Sequence, residues 1–117
     1  MKGKLTGRKD DSEKIRMELL SVPALRAMAE VMTKGAIKYD DYNWLGGMKH
    51  SRLYGAALRH LTAHMDGEDL DEETELSHLA HAGCCLMMLS TYEIKGLGED
   101  DRPRVHNLDK IIEGVNK

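Results

Sequence analysis

Leu25, Met28, Ala29 and Met32 recur at helical spacing, which gathers apolar side chains on one face of an α-helix. Ser21-Val22-Pro23 ahead of them is a helix-entry signal, with Pro23 suited to the first turn, and Gly35 is a stop signal. This pattern predicts a first helix over residues 23–34. A second stripe, Leu53, Ala57, Leu61 and Met65, starts after His50 and Ser51 and ends at Gly67, predicting a helix over residues 50–66. A third helix is predicted over residues 73–95, entered through the acidic run Glu68-Asp69-Leu70-Asp71-Glu72-Glu73. Negative charge at that end complements the helix dipole.

The third helix is apolar nearly all round from Leu79 to Leu89, a pattern that calls for burial on every side. A small domain has trouble surrounding one helix completely, so the expectation is a homo-oligomer, dimer or tetramer, built around it. Between the first two helices, Gly35 to Lys49 holds Tyr39, Tyr42, Asn43 and Trp44 among glycines and aspartates. It is expected to be a loop ordered by its aromatics, and loops of that length are commonly functional. Alternation suited to strands is missing. The expected fold is therefore all-α: a compact bundle of three main helices plus a short C-terminal helix around Leu108, Ile111 and Ile112. The corresponding division is a flexible or extended basic arm (1–20), a helical domain carrying the candidate site (21–95), and a C-terminal loop and short helix (96–117).

A chain of 117 residues is one domain by length and buries enough surface to need no disulfide or metal staple. With no Phe and 8 Met, its core rests on Leu, Ala and Met, an adaptable combination. A net charge of -3 argues against a general nucleic-acid coat. The locally basic start (Lys2, Lys4, Arg8, Lys9, Lys14, Arg16) is either a solvated arm or a source of cations for an anionic ligand. Cys84 and Cys85 are neighbours in an apolar helical run, so they point about 100° apart and do not pair with each other. They are expected to be buried thiols of a reducing compartment. No leader or membrane-spanning run is visible, which makes the cytoplasm the expected location, that of the host if the protein is phage-encoded.

Candidate chemistry gathers on the second and third helices. His60 and His64 lie one turn apart, and Glu75, His78 and His81 form an i, i+3, i+6 row. An antiparallel pair would bring the two rows together, with Glu68 and Asp69 at the connecting end. Imidazole with carboxylate suits Mn, Zn, Co or Fe, whereas carboxylates with water suit magnesium. The plainer reading makes His60 and His81 hydrogen-bonded core residues and leaves His64 exposed. Neither HExxH nor a His-Asp doublet is present. A second group, Lys34, Lys38, Tyr39, Asn43 and Trp44, suits a nucleotide. Lysine neutralises phosphate, an aromatic ring stacks on the base and an amide reads its edge. The alternative is a loop packed by its aromatics with the lysines in solvent. Arg52 and Arg59, seven apart, either pair with Asp66 or Glu30 or face a phosphate. The cysteines have no adjacent base and belong to the core, and Gly46-Gly47 follows no strand, so there is no phosphate-cradling loop.

Taken in order, Lys14-x-Arg16-x-Glu18-Leu-Leu, Lys34-Gly-Ala-Ile-Lys38-Tyr39, Asn43-Trp44, Arg59-His60-Leu, Gly67-Glu68-Asp69 and His78-Leu-Ala-His81-Ala form a series across residues 14–93. The series resembles the small phage and prophage dATP/dGTP diphosphohydrolase family, itself distantly similar to the MazG group. The resemblance implies an oligomeric all-α nucleotide pyrophosphohydrolase that uses divalent metal to release pyrophosphate and leave a monophosphate. It also implies that Glu75-x-x-His78 stands where MazG-like helices carry Glu-x-x-Asp, with Glu68 and Asp69 as further carboxylates. The first acidic motif of the MazG group, two adjacent glutamates and a third one turn later, has no counterpart in Ala57-Leu-Arg59-His60-Leu.

The leading expectation is thus a Mg- or Mn-dependent hydrolase of a purine deoxynucleoside triphosphate. Glu68, Asp69, Glu75 and His78 would hold metal, and Glu68, Glu75 and His78 would carry the catalysis, one carboxylate orienting water. Lys34, Lys38 and Arg59 would neutralise phosphate, Tyr39, Asn43 and Trp44 would hold the base, and His60 and His81 would complete the nucleotide site. The rival is a phage nucleotide-binding protein that sequesters a nucleotide immune signal without chemistry. A third reading is a helical module with no small ligand.

Overall fold

The computed structural model describes residues 5–104 and is all-α. Three helices, α1 (Val22–Tyr39), α2 (His50–Met65) and α3 (His78–Lys95), are joined by irregular segments with short 3-10 turns at Met17–Leu19 and Asn43–Gly46. The C-terminal helix expected around Leu108 lies outside the described residues.

α1 begins where its sequence signal stands: the Ser21 hydroxyl accepts from the Ala24 amide at 3.2 Å, with Pro23 in the first turn. Its end differs from expectation, because the helix runs through Gly35 to Tyr39. A helical glycine costs only about 1 kcal/mol, and the last turns are held from outside. Lys34 Nζ donates to the Thr74 carbonyl, and Lys38 Nζ pairs with Glu73 at 3.0 Å. The helix stops at Asp40, whose φ of 75° leaves the helical region. Lys34, Lys38 and Tyr39 are therefore helical residues.

α2 has its expected extent, but only Leu53 and Ala57 of its predicted stripe are buried; Leu61 and Met65 are exposed. Its first turn is capped from afar: Asp101 accepts from the Ser51 amide at 2.8 Å and from the Ser51 hydroxyl at 2.5 Å. A carboxylate there satisfies an amide that has no partner within the helix and complements the positive end of the dipole.

α3 begins at His78, later than expected. Asp71 accepts from the Thr74 amide at 2.9 Å and the Thr74 hydroxyl at 3.0 Å, and the Glu75 amide donates to the Asp71 carbonyl. These side-chain bonds offer the backbone a turn in place of a helix. Glu75 sits in that turn with a φ of 61°. The predicted Glu75–His78–His81 row on one helix is thereby corrected: only the two histidines are on α3.

α2 and α3 run antiparallel, His60 meeting His78 at one end and His50 reaching the Leu97 carbonyl at the other. Leu53, Ala57, Cys85, Leu89 and Tyr92 form the core between them; each large aliphatic side chain buried there contributes about 1.5–3 kcal/mol. α1 packs on another side of α3, where the Cys84 thiol donates to the Met28 carbonyl at 3.3 Å and Met28 fills the space above Gly83. Burial pushes the Cys84 thiol up to about 11, so it is a packing residue and not a nucleophile. Within one chain α3 is covered on two sides, while Leu79, Leu86 and Ile94 remain exposed. Among the described residues no helix is long and apolar enough to cross a membrane.

Candidate functional site

Helical spacing puts His60 and His64 on the side of α2 that faces the start of α3, and places His78 and His81 in the first turn of α3. The connecting loop folds back under them. The Glu68 amide donates to the Ala63 carbonyl, the His78 amide to the Asp69 carbonyl and the Asp71 amide to the Leu76 carbonyl. This return brings Asp71 and Glu68 beside the histidines.

The centre of the cluster is a contact between His60 Nδ1 and His78 Nδ1 at 2.8 Å. The His60 ring also stacks on His81, with centroids 4.4 Å apart and planes 9° from parallel. His81 Nε2 lies 2.7 Å from the Thr74 hydroxyl, which in turn donates to Asp71. This relay fixes the Asp71 carboxylate. His78 is buried to 5% exposure, and its Nε2 is 3.4 Å from Glu68 Oε2 without a hydrogen bond. His64 and Asp69 stand at the rim, 3.8 Å apart.

Burial, and then the neighbouring His81, hold His60 below the ordinary histidine value, and burial does the same for His81. For Asp71, burial works upward, but the two bonds from Thr74 and the nearby imidazoles outweigh it, so its carboxyl stays below the usual range. Near neutral pH His60 and His81 are therefore held as neutral rings and Asp71 as an ionised carboxylate, protonation states that metal ligands need. One ligand atom from each of His60, Asp71 and His78 lies within 4.8 Å of the other two.

Other expected site residues fall into three places. Lys34 and Lys38 reach the same turn through Thr74 and Glu73, and Lys38 also lies 5.1 Å over the exposed Tyr39 ring. Arg59 lines an open cleft of about 580 Å³ with Thr62, Ala63, Met65, Asp66 and Glu68, so Glu68 joins that cleft to the histidine cluster. Asn43 and Trp44 are elsewhere. The Trp44 carbonyl meets Tyr92, fourteen residues along α3 from His78, or about 21 Å at the helical rise. A single chain does not bring them to the histidines. Asp71 and Thr74 join the cluster without being singled out by helical spacing. Their Asp-x-x-Thr spacing, which marks a side-chain-stabilised turn, is the available signal.

Comparison with known proteins adds to this geometry. A family model described as dATP/dGTP diphosphohydrolase, N-terminal, matches residues 4–102. A protein of Salmonella phage PMBT28 named dATP/dGTP diphosphohydrolase is 36% identical over 85 residues, which cover 73% of this chain and 29% of that protein. The chain thus spans less than a third of the length of that relative. No solved structure matches.

Proposed function

The chain belongs to the dATP/dGTP diphosphohydrolase family, matching its N-terminal part, and on that premise we propose that it acts in hydrolysis of purine deoxynucleoside triphosphates to monophosphate and pyrophosphate. The observation that carries this reading is the cluster of His60, His78 and Asp71 connected through Glu68 to the Arg59 cleft. It sets imidazoles, carboxylates and a guanidinium side by side, a combination suited to a polyphosphate.

In this reading Arg59 neutralises phosphate from the cleft, and Lys34 and Lys38 add charge from the end of α1. Both lysines are held by groups weaker than a phosphate, a carbonyl and an exposed carboxylate, so a triphosphate competes for them favourably. Glu68 is half-exposed beside the buried His78, in a position to accept a proton from attacking water. The donor set around His78 also fits a divalent metal: two imidazoles, those of His60 and His78, converge there with the Asp71 carboxylate. Such a metal supplies charge neutralisation and polarises the phosphoanhydride when bound. The same reading includes assembly as a homo-oligomer through the apolar surface that one chain leaves open on α2 and α3.

The test is incubation of the purified chain with dATP, dGTP and a panel of other nucleotides in Mg or Mn, followed by chromatography of the products. The expected outcome is purine monophosphate with one pyrophosphate released per turnover, abolished by Glu68→Gln. Recovery of intact nucleotide only after denaturing the protein would overturn hydrolysis in favour of sequestration.

A further inference from the structure

Two imidazoles meeting Nδ1 to Nδ1 at 2.8 Å can share only one proton between them. Two lone pairs repel, and so do two N–H groups, so one ring presents a bare Nδ1. His78 is the ring whose tautomer is decided by its other side. Its Nε2 is buried and faces the Glu68 carboxylate at 3.4 Å. A carboxylate only accepts, so Nε2 keeps the proton and Nδ1 directs its lone pair at His60. A histidine with a carboxylate behind one nitrogen and an outward lone pair on the other has the arrangement of a metal ligand with its outer partner.

Asp71 completes the set. Its carboxylate is fixed by Thr74, which is fixed by His81, and it contributes a ligand atom within 4.8 Å of those of both histidines. Neighbouring nitrogen ligands around one ion lie about 3.0–3.4 Å apart, a few tenths of an ångström beyond the separation of the two Nδ1 atoms. We propose that His60, His78 and Asp71 bind one divalent first-row transition ion, of the class Mn, Fe, Co or Zn, through the Nδ1 atoms of both histidines and a carboxylate oxygen, the proton that His60 Nδ1 shares with His78 passing to His60 Nε2 as the ion enters. Glu68 is the outer partner of His78. Two imidazoles select this class over magnesium, which keeps oxygen ligands and water. Three protein ligands leave positions open to an oxygen of water or phosphate. The ion's use in catalysis rests on the phosphohydrolase reading; its binding does not.

The experiment uses the full chain stripped with EDTA and titrated calorimetrically with Mn, Co, Zn and Mg in turn. About one transition ion per chain is expected, with magnesium at least about tenfold weaker. His60→Gln and Asp71→Asn should each weaken binding by at least about tenfold while leaving the circular dichroism spectrum unchanged. Because His78 is buried and its variants risk misfolding, the wild-type chain supplies the second measurement. Ring-nitrogen NMR during Zn titration should move the Nδ1 resonances of His60 and His78. Unmoved Nδ1 resonances, or ion affinity indifferent to both substitutions, would overturn the site. If purine triphosphates are hydrolysed in magnesium with His60→Gln as active as wild type and no ion bound by these residues, the inference fails and the phosphohydrolase reading stands. An ion bound here with no hydrolysis has the opposite meaning: the site stands and that reading fails.

Discussion

The Tyr92 hydroxyl donates to the Trp44 carbonyl at 2.5 Å, tying the end of α3 to the turn that precedes α2. Tyr92 is 1% exposed, and burial raises its phenol above the ordinary value, so the group stays a neutral donor. Removing the hydroxyl does not orphan the carbonyl, which also accepts from the Gly47 amide at 3.1 Å. Tyr92→Phe is therefore expected to cost only about 0.5–1.5 kcal/mol. Urea unfolding followed by the fluorescence of Trp44, the sole tryptophan, measures it; a loss several times larger would mean that the turn itself depends on this bond.

Two glycines should respond in opposite directions. Gly35 is inside α1 with open space where a Cβ would go, so Gly35→Ala is expected to stabilise the protein by about 0.5–1 kcal/mol. Gly98 has a φ of 70°, and a Cβ there would run into the Met48 carbonyl oxygen. Gly98→Ala is expected to destabilise by about 1–3 kcal/mol. Thermal melts of the two variants beside wild type decide the matter, and a stabilising Gly98→Ala would contradict the described path of the chain after α3.

The same positions explain what was legible beforehand. The extent of α2 was readable because its helical spacing and its stop at Gly67 are both local, whereas the outward turn of Leu61 and Met65 is set by where α3 packs. The end of α1 was not: Gly35 looks like a stop, and what carries the helix past it is a pair of lysines reaching Glu73 and Thr74, contacts that no local pattern records. The pairing of His60 with His78 and His81 followed from helical spacing plus an antiparallel neighbour, and the structure brings those rings together. Acidic residues favour a helix start, which places Glu75 in the predicted helix. Asp71 and Thr74 compete for the same backbone and win. Asp71 is illegible for a related reason: one carboxylate in a run of acids carries no local mark of the fold that turns it inward.

Asp101 provides a pH dependence with a definite sign. Hydrogen bonds from the Ser51 hydroxyl and amide hold its carboxyl below the ordinary value. A depressed acid stabilises the fold above its unfolded pKa, about 3.9, and that contribution is lost as pH falls through the lower, folded value. Asp101→Asn should therefore melt below wild type at pH 7, with the gap closing as pH falls below about 3.9. A gap that stays constant through that window would show that the carboxylate's charge is not what caps α2.

The apolar surface left open by one chain makes the last prediction. Tyr54, Leu58, Leu61 and Met65 recur along α2 at i, i+4, i+7 and i+11, all exposed, and Met65 reaches 86%. Tyr54 shares a groove with Leu86 and Leu89 of α3, so the stripe is continuous with the exposed side of that helix. Scattered surface leucines need no explanation, but a contiguous apolar face on two adjacent helices is costly to leave in water. A second copy presenting the same face would cover it with a self-complementary contact. Light scattering coupled to size exclusion is expected to give at least twice the 13.2 kDa chain mass. Leu58→Glu combined with Leu61→Glu should return the protein to a single-chain mass with its helical circular dichroism intact, because neither side chain belongs to the buried core between α2 and α3. A wild-type protein that runs as one chain at micromolar concentration would sink self-association through this face.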